Sequence, residues 1–220
     1  MIKEAFVTEN NTRPMRIAGI FLSACALTSL VLLAIHPGEG GKTFAEALRA
    51  EAAAQAINGI VHGGYIALLS LELAALAVLA QLTKRPAMTA GLALFGLGVV
   101  ALSASLLIDG LVLPAIAAKY LAVPDKIEFA KSLFVLCGTF IKVLMPLGLM
   151  LHAGGILFFG IAQAHCQTSR VSGGLGIVIG AVAVVAVGMM GLQPIVVMAS
   201  IAAFSLWFAW FGLLALRARL

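Results

Sequence analysis

Residues 57–82, INGIVHGGYIALLSLELAALAVLAQL, limit what this chain can become more than any other stretch. The run is apolar and long enough to cross the ~30 Å hydrocarbon core of a bilayer as a helix. It nevertheless carries His62 near one end and Glu72 in its interior. Ionisable groups at that depth cost at least about 2.5 kcal/mol and face a bundle interior or a partner group. One such span cannot shield them alone, so the chain must supply other spans around it.

Composition agrees. The 220 residues are 62% hydrophobic and 10% charged, with a mean hydropathy of +1.12. Soluble domains average about 45–50% apolar and about 25% charged. The expected fold is therefore all-α: a polytopic membrane helical bundle forming a single integral membrane domain over 1–220, with the lipid bilayer as its first partner. The net charge of +5 lies at the ends of apolar runs, which reads as topology and excludes a nucleic-acid surface.

Six transmembrane helices are expected, over about 17–36, 57–82, 89–118, 147–165, 172–191 and 195–216. HPGEGG ends the first and Lys84-Arg85-Pro86 the second, while Gly191-Leu192-Gln193-Pro194 makes a hairpin between the last two. Two external amphipathic helices are expected at about 43–56 and 127–144. The first is alanine-rich and runs on into the second span through a kink at Asn58-Gly59; the second is broken at Met145-Pro146. Leu22-Ser23-Ala24-Cys25 looks like a lipoprotein cleavage box, but the apolar run continues past it to His36. That pattern fits an uncleaved first span better than a short signal core.

Eight of the 14 basic residues (Lys3, Arg13, Arg16, Lys84, Arg85, Arg170, Arg217 and Arg219) fall at one set of helix ends. Five (Lys42, Arg49, Lys119, Lys126 and Lys131) fall at the other, among Glu39, Glu46, Glu51, Asp125 and Glu128. By the positive-inside rule both termini are expected to be cytoplasmic, in a multi-pass protein of the cell (inner) membrane. Cys25, Cys137 and Cys166 are scattered, giving neither a disulfide framework nor a metal spacing. ALTSLVLLAIHP resembles ALSASLLIDGLVLP, and each precedes a charged external helix and a His-Gly span. A tandem helical-hairpin repeat follows, with a site at the interface of its copies.

Counting from the basic anchors at ~1.5 Å per residue puts His36, His62, Asp109 and His152 roughly 27–36 Å above that end. They form one layer towards the outer face. Glu72 lies lower, at about 18 Å, and Lys142 is near enough to reach in by snorkelling. His36 beside Pro37 reads as an interfacial residue, and so does His165. His62 and His152 stand apart because each precedes paired glycines, Gly63-Gly64 and Gly154-Gly155, which admit a helix or a flat ligand. Gly176 and Gly180 read as a helix-packing pair. Phe204, Trp207, Phe208, Trp210 and Phe211 read as an interfacial aromatic belt.

Several functions fit this layer. Two imidazoles on parallel spans are what a bis-His haem b needs, with Asp109 or Lys142 meeting a propionate. That gives His62, His152, Asp109 and Lys142 as cofactor-binding candidates with a redox or electron-transfer role. His62, His152 and Asp109, joined by His36, are also a donor set for a transition metal, although no compact metal motif is present. A His62–Asp109 pair above Glu72 suits a small transporter or other proton-coupled protein. An accessory subunit of a membrane complex, or a homo-oligomer, would use the same groups only to lock helices. Whether the chain is an enzyme stays open.

Overall fold

In a computed structural model of the protein, residues 9–37, 41, 43–217 and 220 are described. Lys3, Glu39, Lys42 and Arg219, which enter the charge count above, lie outside them. The described chain is helical almost throughout. Its long elements are α1 (Glu9–Ala34), α2 (Phe44–Ala53), α3 (Gln55–Thr83), α4 (Pro86–Leu107), α5 (Leu113–Leu121), α6 (Ile127–Ala164), α7 (Arg170–Met190) and α8 (Pro194–Leu216). A π-helical turn, Ile108–Val112, joins α4 to α5. Six stretches are long and apolar enough to cross a membrane: α1, α3, α4 through α5, α6, α7 with its short lead-in, and α8. The all-helical, six-span bundle is as expected.

The six spans pack in chain order as a closed ring: α1 on α3, α3 on α4, α4 on α6, α6 on α7, α7 on α8, and α8 back on α1. Glycine sets how closely several of these pairs approach. A Cβ on Gly19 or Gly212 would strike the backbone of the other helix at the α1–α8 crossing. Gly91 and Gly155 do the same between α4 and α6, and Gly160 and Gly173 between α6 and α7. Without a hydrophobic drive between helices in lipid, such close backbone packing is a main source of association. Outward faces carry apolar side chains such as Val100, Val135, Val178 and Leu206, as contact with lipid requires.

Three local details differ from the sequence reading. α2 is shorter than expected and ends at Ala53, five residues before the anticipated kink. Thr43 and Glu46 start it as a reciprocal capping box, which satisfies two otherwise orphaned donors. Residues 127–164 form one continuous helix straight through Pro146, not an external helix followed by a span. Proline removes one hydrogen bond and crowds one carbonyl, whereas ending a helix in hydrocarbon would orphan several more groups. At about 57 Å α6 exceeds the bilayer core, so its first turns project beyond it or the helix tilts. The third detail is the aromatic cluster of α8. Phe204, Trp207, Phe208 and Phe211 are buried and only Trp210 is exposed. Trp207 Nε1 donates to the Ser172 carbonyl at 2.9 Å, with its ring over Gly176. These residues are core, not an interfacial belt, because Gly176 opens room for the indole inside the ring.

Phe95, Phe159, Phe208 and Phe211 are fully buried and pack ring against ring, tilted or edge-on, inside the bundle. They fill its basic half, the end that carries Arg16, Lys84, Arg85, Arg170 and Arg217. Beyond them a cavity opens, which Phe208 also lines.

Candidate functional site

This cavity of about 270 Å³ is bounded by α1, α3, α4, α6 and α8. Its wall is mostly aliphatic. The polar exceptions are Ser29, His36, His62, Tyr65, Glu72, Asp109, His152 and Ser205. Three of the four residues assigned to the site from sequence, His62, Asp109 and His152, therefore line one space. Lys142 does not: α6 presents Ile141, Met145, Leu149 and His152 as its cavity stripe, and Lys142, one position off it, is exposed.

His62 is the centre of the polar group. It is 2% exposed, and its Nδ1 lies 3.0 Å from the Asn58 carbonyl one turn back. A carbonyl only accepts, so Nδ1 is the donor and carries a proton. Nε2 then faces Asp109 Oδ2 at 3.2 Å and His36 Nε2 at 3.4 Å. A bare Nε2 against a bare carboxylate would set two lone pairs against each other. The contact is favourable only with a second proton between His62 and Asp109, on either atom. Asn58 is itself held by Glu51, its Nδ2 donating to Oε2 at 3.1 Å. Glu51, Asn58, His62 and Asp109 thus run as one chain of hydrogen bonds from α2 to the π turn.

Two sequence features aim Asp109. Pro114 would press its ring on the carbonyl four residues earlier, that of Gly110, in a regular helix. The chain widens instead: the Leu113 N–H bonds to the Ile108 carbonyl, a five-residue closure. Such turns recur at functional sites. Gly110 then lies directly against the His62 ring, where an added Cβ would collide with His62 Cβ and Cγ.

His152 occupies the floor of the cavity. Its ring stacks on Phe204 at 5.1 Å and 13° and tilts against Phe95 at 4.2 Å. Gly98 allows this, since a Cβ there would meet the His152 backbone nitrogen at 2.8 Å. The residue is 4% exposed, and its Nδ1 has no hydrogen-bond partner among the described residues. It does not bond to His62. Glu72 is 4% exposed on the deep wall, and Tyr65 donates its hydroxyl to the Ser29 carbonyl at 2.8 Å.

Three of the four glycines after the two histidines contact a neighbouring helix. Gly64 packs on Leu32, Gly155 on Phe95 and the Gly91 carbonyl, while Gly63 faces open space. Among the described residues no three His, Cys, Asp or Glu side chains converge as a metal-binding group. Sequence reasoning had His36 in the right layer but set it aside as interfacial, and it read Asn58 as a kink. Depth alone was the signal for His36; Asn58, one turn before His62, had none beyond its spacing. Comparison of the chain with protein-family models, with curated proteins and with solved structures finds no match.

Proposed function

We propose that the protein is a small proton-coupled membrane protein that binds a solute in the cavity and exchanges a proton at His62 and Asp109. One observation carries this reading: His62 gives Nδ1–H to a backbone carbonyl while its Nε2 meets a carboxylate. That arrangement needs a proton in the pair, and the pair lines a solute-sized space. Ionisable groups at membrane depth mark proton relays and substrate paths. We also take the basic end as cytoplasmic and the membrane as the cell (inner) membrane, on the charge asymmetry.

Proteoliposomes containing a pH-sensitive dye test the coupling. With a panel of small amines, alcohols and acids, at least one class should drive proton movement above the protein-free background. Asp109→Asn, which keeps the shape of the side chain and loses the acid, should abolish it. An equal response from Asp109→Asn would overturn the reading.

A second reading rests on His62 and His152 lining the same cavity. In it they hold haem b or a transition metal, with Asp109 beside them, in a redox role. His62 has both ring nitrogens engaged, so ligation there requires Nε2 to leave Asp109. Absorbance and metal analysis of purified protein decide. A Soret band lost in His62→Ala and His152→Ala but kept in His165→Ala supports haem. Stoichiometric metal lost in the same pair and weakened in Asp109→Asn supports a metal. Neither signal in wild-type protein removes this reading.

A further inference from the structure

The His62–Asp109 pair accounts for the outer part of the cavity and leaves its deep wall without a role. Ten residues separate His62 from Glu72 along α3, about 15 Å, and both line the space. The Glu72 carboxyl makes no ion pair or hydrogen bond among the described residues. Its titratable neighbours are Cys25 on α1 and Tyr65 on α3. Neither is a cation, and the Tyr65 hydroxyl is committed to the Ser29 carbonyl. No lysine or arginine lines the cavity, and the other carboxyl, Asp109, is taken by His62. The same space is lined by Leu69, Phe204 and Phe208, with the His152 ring stacked on Phe204.

A buried carboxyl without a counter-charge is costly and is kept where something supplies one. We infer that the deep end of the cavity binds the cationic group of a small lipophilic amine, with Glu72 as its counter-charge and the Phe204 and Phe208 rings as its walls. This substrate class rests on the proton-coupled reading of the same cavity. The chemistry is selective in both directions. An anion would meet two carboxyls and no lysine or arginine, and a neutral alcohol would leave Glu72 uncompensated. An ammonium gains the carboxylate and aromatic faces together, while its apolar body replaces water against the aliphatic wall. The volume, about 270 Å³, lies at the lower edge of ordinary ligand pockets, so the ligand is small.

The test is ligand-dependent thermal stabilisation of the purified full-length protein in detergent, which reports binding through mass action. The probes are phenethylamine, phenethyl alcohol and phenylacetate. Phenethylamine should raise the melting temperature in a saturable way, and the other two should need at least about tenfold higher concentration for the same shift. Glu72→Gln should remove the preference for the amine, and Glu72→Asp should retain it. If the alcohol or the acid stabilises wild-type protein as well as the amine does, the inference is wrong, and that comparison needs no variant. An unchanged amine preference in folded Glu72→Gln would equally overturn it. Asp109→Asn separates the two ideas: it should lose dye-reported proton movement and keep amine stabilisation. Loss of amine selectivity with intact Asp109-dependent proton movement would sink the substrate class alone.

Discussion

At the scale of single residues, the site depends on what is missing as much as on what is present. Gly110 has no side chain because the His62 ring occupies the place of its Cβ. Gly110→Ala should therefore displace His62 from Asp109 and destabilise the protein by about 1–3 kcal/mol, as overpacking does. Thermal unfolding in detergent measures this. Gly63→Ala, which meets nothing within 4 Å, should be neutral or slightly stabilising, as alanine is in a helix. Cys166, between two spans at the basic end, offers a pH-dependent readout. Burial pushes its thiol up, but hydrogen bonds from Thr168, Ser169 and Arg85 outweigh burial and bring it down from 9.0 to about 7. Its contribution to stability is thus complete above 9.0 and is lost as pH falls through about 7. Maleimide labelling of Cys166 should rise with a midpoint near pH 7 and shift upward in Thr168→Ala. A midpoint near 9 would show that these bonds do not hold the thiolate.

At the scale of elements, the helices read from sequence and the joints did not. Apolar runs bounded by basic residues fix where helices cross, because lipid leaves the backbone no alternative to a helix. The same rule made Pro146 misleading: a proline signal calibrated on water-exposed helices overstates a break inside a membrane. Pro114 acts differently, since its clash resolves as the π turn that carries Asp109. Sequence showed the proline and the aspartate but not how they combine. The Gly176 and Gly180 pair was legible, and each turns inward: Gly176 against Trp207, Gly180 against the Ala153 carbonyl and Leu157. Gly180→Leu should lower the melting temperature by forcing α7 from α6. Gly174→Leu, on an open surface, should not. Equal melting temperatures for the two variants would mean that α7 does not depend on this contact.

At the scale of the whole molecule, the ring order of the spans turns scattered polar residues into one site. Depth along each helix could be counted from its basic anchor, which is why His36, His62, Asp109 and His152 could be grouped before any packing was known. Azimuth could not be counted. Helices that are apolar all round carry almost no signal for which face turns inward, so the burial of Trp207 and the outward turn of Lys142 became visible only in three dimensions. The cavity was equally hidden, because it is an absence of side chains contributed by several helices at once. Topology has its own check. Reporter fusions after Gly41, Pro86, Asp125, Ser169 and Leu220 should alternate outside, inside, outside, inside, inside, and an external C-terminus would contradict six crossings. Solid-state NMR of the ¹⁵N-histidine-labelled protein in bilayers tests directly whether a proton is held between His62 and Asp109. His62 should carry a proton on Nδ1 and share a second at Nε2, and the Nε2 signal should change in Asp109→Asn. A neutral His62 protonated only at Nε2, with a bare Nδ1, would contradict it.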